Sequence, residues 1–544
     1  MKDRLSWMLS AVVGGLATFC VVSIAAAMSA PGASLGTSAV LDEAGRLWIA
    51  YAECNGASCN VMLRYSDDRG AGWASPIRVT SRPEPVSADG ENRPKLAIGP
   101  RGELYVTWTS PTSERYTGDI RFTRSLDGGE TWSPPIVVHR DRQLITHRFE
   151  SLAVDGDGRV WVTWVDKRDL HRAQAAGESY SGAALYYAYS EDGGESWKGD
   201  FKLADHTCEC CRIALARNPE GRMAALWRHV FPPNERDHAL AVLSPNPSPS
   251  MSRATFDRWR VDACPHHGPS LAYSPDGTAH AVWFNYKEGQ GRAFYGQLTE
   301  ARPAHVRELP AGAQHADLAI SGETMAVVWK RFDGQVTKVE SLVSHDNGRS
   351  FAPGPALSVS GPSDQPRVVA NGDSLLIVWR HSRGIAVANV DERASRNAEQ
   401  LTTDGRSQRE PAGEIKPFLR TTLEEIERAN AGKPFWLVLW DLECTYCMKS
   451  LANLAAAQRA APNVHVVTIS TDPITAAPEL RARLAQLGVR SEAYAFGNDS
   501  VEALRFAIDP SWIGEKPRAY RYSKSGEREA ISGVVSPEEW REVH

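Results

Sequence analysis

A pattern of small or apolar residues, a glycine turn and a strand closed by an aromatic recurs seven times, at Tyr51, Trp108, Trp164, Trp227, Trp283, Trp329 and Trp379. The aromatics are 46 to 63 residues apart, and typical copies read KLAIGPRGELYVTW, SLAVDGDGRVWVTW and SLAYSPDGTAHAVW. Each copy predicts two antiparallel strands joined by a tight turn in which glycine supplies the positive φ. Units that cannot bury their apolar faces alone must stack on their neighbours, so a repeat of this length predicts an array or ring. The 43 glycines, 33 prolines and 17 tryptophans suit many short strands with regularly placed plugs.

Four repeats run on into a second signature. These are Ser66–Trp73, SLDGGETW ending at Trp132, SEDGGESW ending at Trp197, and SHDNGRSF ending at Phe351. The octet resembles the Asp-box, S-x-D-x-G-x-T/S-W, of sialidases and many other β-propellers. Its chemistry is local: the Asp carboxylate accepts backbone N–H bonds, glycine takes the strained position and the aromatic plugs the blade. The resemblance implies an all-β propeller over residues 37–401, one four-stranded blade per repeat. Seven blades are expected, with six as the alternative, since sialidases proper have six. It does not carry the sialidase site. The Arg-Ile-Pro motif is absent, and no Tyr–Glu pair can be placed with Arg93, Arg148, Arg212 and Arg367, which read as solvated arginines.

At the N-terminus Lys2 and Arg4 precede an apolar run from Trp7 to Ala30, with Ala25-Ala26-Ala27 as a small-residue cleavage site. Residues 1–30 are read as a signal peptide, or an uncleaved membrane anchor, and the remainder as exported to the periplasm or another extracytoplasmic space. A net charge of −5 gives no electrostatic case for nucleic acid. Beyond Cys20 there are eight cysteines, an even set that in an exported chain points to disulfides or thiol chemistry. Cys54 and Cys59 flank a short turn and read as a hairpin disulfide.

The repeat stops at Thr402–Pro417, a polar, breaker-rich segment that reads as a linker. Residues 418–544 alternate helix and strand: TLEEIERAN, the buried strand PFWLVLW, CTYC, an alanine-rich helix, VHVVTIS, two helices, and the strands AYRY and EREAISG. Strand, short loop, CxxC and helix resemble the thioredoxin superfamily, and the domain looks most like periplasmic thiol–disulfide oxidoreductases. That resemblance implies a Cys444–Cys447 redox disulfide, with Cys444 as nucleophile on an exposed helix start and Cys447 as resolving thiol. It implies a cis-proline opposite them, for which Pro517 is the candidate. Glu443 and Tyr446 depart from the common Trp and Pro, and the Glu443 charge is expected to oppose thiolate formation at Cys444. Metal binding and an inert disulfide are the other readings of CTYC.

Aligning repeats four and five on Leu215 and Leu271 sets Cys208-Glu209-Cys210-Cys211 beside Cys264-Pro265-His266-His267. In adjacent blades these residues converge near one mouth of the channel. Cys208, Cys210, Cys211, Cys264, His266 and His267 are then a candidate set for copper or zinc, with His206, His229, His238 and His315 as neighbours. A structural Cys208–Cys264 disulfide is the competing reading. The function expected is an exported thiol–disulfide oxidoreductase acting on client protein thiols or a redox partner, its propeller a docking or metal-handling scaffold. The alternative is a non-catalytic propeller that binds protein, glycan or metal, with a structural CxxC.

Overall fold

Seven antiparallel units follow one another from Thr37 to Asn389 in the computed structural model, and their innermost strands touch in a closed ring. Those strands are Thr37–Leu41, Lys95–Ile98, His147–Val154, Ala214–Arg217, Ser270–Tyr273, Gln314–Ser321 and Arg367–Asn371, and the last contacts the first. The structure describes residues 35–390 and 415–542, apart from 57, 246–249, 288–289 and 373. The N-terminal segment 1–30 and most of the expected linker therefore lie outside the described residues. Among the described residues no helix is long and apolar enough to cross a membrane.

The repeat aromatics lie on the second strand of each unit and are all buried. A buried indole N–H needs an acceptor, and most find one within their own unit or the segment leading into it. Trp164 donates to Asp166 (2.9 Å), Trp283 to Asp257 (3.0 Å), Trp329 to Glu340 (3.0 Å) and Trp379 to the Asp364 carbonyl (2.9 Å).

The four octets fold alike. In each, the serine hydroxyl donates to the aspartate at 2.7–2.8 Å and accepts from the N–H of the residue four positions on, a glycine every time. The same aspartate accepts an N–H from four residues beyond it. Glycine is required there. Gly194 has φ +87°, and a Cβ on it would stand 2.3 Å from the Phe122 ring.

Units three and four share one continuous sheet, because Thr207 at the end of Lys198–Thr207 pairs with His229. The Cys208 N–H then donates to the Arg228 carbonyl at 3.0 Å, which pins the start of CECC against the second strand of unit four. A nine-residue helix, Arg168–Ala176, is inserted in unit three, where the repeat pattern predicts only strands.

The C-terminal unit is a six-stranded mixed sheet in the order Lys416–Phe418, Glu492–Phe496, Val466–Pro473, Phe435–Trp440, Arg518–Tyr522, Arg528–Ser532. The first four strands are parallel to one another and the last two are antiparallel additions. Its first strand begins at Lys416, inside the segment read as linker, and Glu492–Phe496 is a strand the sequence pattern missed. Both are short, and Lys416–Phe418 is an edge strand, so neither carries an extended apolar run. The helix Thr445–Ala460 follows the central strand and buries Cys447, Leu451, Leu454, Ala455 and Gln458 along one face, the spacing of an amphipathic helix.

Candidate functional site

CECC and CPHH do meet at the channel mouth. The Cys208 Sγ lies 3.4 Å from that of Cys211 and 3.8 Å from that of Cys210, and a second trio, Cys210, Cys264 and an imidazole nitrogen of His266, has all its donor atoms within 4.8 Å of one another. Cys210 belongs to both trios. All four cysteines are free and buried, so the structural Cys208–Cys264 disulfide is not formed. His266 takes a left-handed φ of 55°, and its buried Nε2 has no hydrogen-bond partner.

His267 does not join them. Its ring stacks between Phe284 and His315 at centroid distances of 4.3 Å, and its Nε2 meets the Ile513 carbonyl at 3.3 Å. One histidine of the HH pair thus turns to the thiols and the other to the core of unit five. Of the further histidines, His238 is buried against Thr255 and His315 contacts Glu91 at 3.3 Å. His229 packs on Phe231, and His206 on Tyr180.

The C-terminal unit covers this mouth. Cys264 and Lys516 form an antiparallel bridge, with N–H to carbonyl distances of 2.7 Å and 3.3 Å, and the next peptide, Lys516–Pro517, is cis. Arg236 donates to the Tyr446 hydroxyl at 2.6 Å, while its other guanidinium nitrogen lies 3.8 Å from the Cys208 sulfur. Arg148 pairs with Glu443 at 3.1 Å, and Glu209 takes both Lys167 (2.5 Å) and the Thr445 hydroxyl (3.1 Å). One buried core cluster accordingly includes Cys208, Cys210, Cys211 and Cys264 from the propeller with Trp440, Leu442, Cys444 and Cys447 from the C-terminal unit.

Cys444 is the N-cap of the helix Thr445–Ala460, its sulfur accepts the Cys447 N–H at 3.0 Å, and the two are disulfide-bonded. Neither is exposed: both have 0% accessible surface. The expectation of an exposed Cys444 is therefore corrected, because the propeller packs over the helix start. The Glu443 charge expected beside Cys444 is taken up by Arg148. Asp441 lies within 4.8 Å of both sulfurs and is held by Lys516. Burial pushes the Asp441 carboxyl up, and the Lys516 ammonium, with His266, more than reverses that, leaving it below the ordinary carboxylate value.

Charge within the thiol cluster is uneven. Hydrogen bonds from Cys210 and Cys211 hold the Cys208 thiol well below its usual value, with Arg236 and Arg228 assisting against its burial. Burial pushes Cys210 well up and Cys211 up, the neighbouring Cys208 thiolate adding to both. Of the three, Cys208 is the one whose surroundings favour the thiolate. Arg236, Glu209, Tyr446 and Lys516, which frame this arrangement, were not singled out as site residues by spacing. Glu209 and Tyr446 gave a signal, from their places inside CECC and CTYC.

Of the arginines read as solvated, Arg93, Arg148 and Arg212 are buried and Arg367 is partly buried, and each lies beside a carboxylate. Arg93 meets Asp364 at 2.7 Å, Arg212 meets Glu91 at 3.2 Å, and Arg367 lies 3.7 Å from Asp317. Arg212 also donates to the Pro269 and Ala316 carbonyls, tying three units together. Burial would raise Glu91, but Arg212 and His315 hold it well below the carboxylate range. With their guanidiniums engaged in this way, the arginines present no free carboxylate clamp. Cys54 and Cys59 sit opposite each other on adjacent strands and are disulfide-bonded.

The ring of antiparallel units makes this a β-propeller protein with an appended mixed-sheet unit. No family model matches the chain, and no curated protein matches it. Among solved structures it is similar to a protein of unknown function from Dyadobacter fermentans (TM-score 0.40, 14% identity, 54% of this chain and 92% of that one). A PL25 ulvan lyase (0.43, 12%, 67% and 93%) and a Penicillium chrysogenum α-L-arabinanase (0.40, 14%, 56% and 91%) are similar to the same degree. At these values the likenesses carry no argument about activity.

Proposed function

We propose that the chain is an exported thiol–disulfide oxidoreductase whose thioredoxin-like C-terminal unit serves the cysteines of its own propeller. The observation that carries the reading is the backbone bridge between Cys264 and Lys516, next to Pro517. It ties the backbone at Cys264 to the unit that holds CTYC through one pair of main-chain hydrogen bonds. The order of strands around Phe435–Trp440, with CTYC at the end of that strand, supports the thioredoxin-like reading.

The reaction moves two electrons. In the dithiol form of CTYC, the Cys444 thiolate attacks a propeller disulfide, forming a mixed disulfide and releasing one propeller thiolate. Cys447 then attacks the Cys444 sulfur, closes the CTYC disulfide and releases the second propeller thiol. An external dithiol protein of the same compartment restores CTYC. Burial of both CTYC sulfurs favours a second reading, a structural disulfide that staples the interface.

The test is a thiol count. Full-length protein is oxidised and then given a limiting amount of a dithiol reductant. Wild type should recover its propeller thiols at least tenfold faster than Cys444→Ser. Equal recovery would leave the staple.

A further inference from the structure

We infer that Cys208, Cys210 and Cys211, with Cys264 and His266 alongside, form a soft-metal site for Cu(I). The inference stands on the propeller donors alone and does not depend on thiol exchange by CTYC.

Four thiols and an imidazole are gathered in one buried place, as two trios whose donor atoms lie within 4.8 Å of one another. A disulfide holds its sulfurs about 2.05 Å apart. Donors about 2.3 Å from a common metal lie about 3.8 to 4.0 Å apart. The pairs around Cys208 stand at 3.4 Å and 3.8 Å, so a small adjustment brings them onto one ion. The His266 Nε2 is buried without a partner, and one ring nitrogen of this histidine lies within 4.8 Å of the Cys210 and Cys264 sulfurs. Its φ of 55° is one an ordinary residue holds only at a cost, and such strain persists where the surroundings fix it.

Donor type and number select the metal. Sulfur with imidazole and no carboxylate is a soft set, which favours Cu(I) or Zn(II) over harder ions. A structural zinc site closes with four ligands. Here the donors form two trios that share Cys210, and three-coordination is ordinary for Cu(I). Arg236, 3.8 Å from the Cys208 sulfur, offsets the negative charge that thiolates would gather around a monovalent ion. A small cavity between propeller and C-terminal unit is lined by Arg148, Lys167, Glu209, Cys210, Cys264 and His266.

The experiment uses the full-length chain, reduced with a phosphine under anaerobic conditions and titrated with Cu(I) against bathocuproine disulfonate. One Cu(I) or more per chain should be withheld from the chelator, and the Cys444→Ser/Cys447→Ser double variant should withhold as much. Cys210→Ser, which breaks both trios, should weaken retention at least 100-fold, and His266→Ala about tenfold. Copper K-edge absorption on wild type needs no variant and should give a three-coordinate, sulfur-dominated shell. Four outcomes would each overturn the inference: no retained copper, retention unchanged in Cys210→Ser, retention lost in the CTYC double variant, or tighter Zn(II) binding with a four-coordinate Co(II) spectrum. Failure of Cys444→Ser in the thiol count with copper binding intact would sink the exchange reaction and spare the metal site.

Discussion

Tyr446→Phe removes one hydroxyl from the contact between propeller and C-terminal unit and leaves the ring in place. The hydroxyl accepts a hydrogen bond of 2.6 Å from the buried Arg236 guanidinium, whose carbon also lies 5.1 Å from the ring centroid. The stacking survives the change; the charge-assisted bond does not. Such a bond contributes about 1.5–3 kcal/mol net, and about 1.4 kcal/mol is a tenfold change in an equilibrium. The population with the C-terminal unit lifted off its seat should rise about 10- to 100-fold. Because Cys444 and Cys447 have 0% accessible surface, alkylation of the reduced protein must pass through that lifted state. When reclosing is fast, the rate follows its population. Iodoacetamide labelling of Cys444, followed by peptide mass spectrometry, should therefore accelerate by that factor, with the melting of the propeller unchanged. An unchanged labelling rate would refute the claim that Arg236 and Tyr446 hold the cover shut.

Three further outcomes are expected. Glu91→Ala leaves Arg212 buried without its carboxylate and should cost about 3–5 kcal/mol in denaturant unfolding; a loss below about 1 kcal/mol would contradict the pairing. Against the effect of burial, Ser196 and Ser190 hold the Asp192 carboxyl at about 2, below the unfolded value of about 3.9. Its stabilising contribution is thus complete above about pH 4 and lost as pH falls toward 2. The melting-temperature gap between wild type and Asp192→Asn should narrow over that interval, and a constant gap would show that the charge contributes nothing. A fluorogenic sialoside should not be hydrolysed, since the channel arginines are bound to carboxylates and carbonyls; turnover abolished by Glu91→Gln would reverse that conclusion.

Local requirements were legible in the sequence, and long-range pairings were not. The glycine turns, the four octets and the repeat aromatics each follow from bonds made within a few residues, so their spacing alone predicts the ring. The helix after Cys444 was equally plain from its alanine and leucine spacing. By contrast, Arg93 finds Asp364 271 residues away, and nothing near either marks the partner. Alignment brought CECC to CPHH correctly but could not say which histidine of the pair faces the thiols. The burial of Cys444 was hidden for the same reason: it depends on Arg236, Arg148 and Glu209 reaching across two units. Short strands such as Glu492–Phe496 escape because a five-residue stretch between helices carries no decisive period.

The most direct test of exchange between the two units is a disulfide map of full-length Cys447→Ser, reoxidised and analysed without reduction. On the proposed exchange, Cys444 without Cys447 should remain bonded to the propeller, with Cys264, whose backbone bridges to Lys516, as the expected partner. A Cys444–Cys264 peptide pair, absent from Cys447→Ser/Cys264→Ser, is the predicted result. Cys444 recovered as a free thiol, with all four propeller cysteines accounted for elsewhere, would contradict the account.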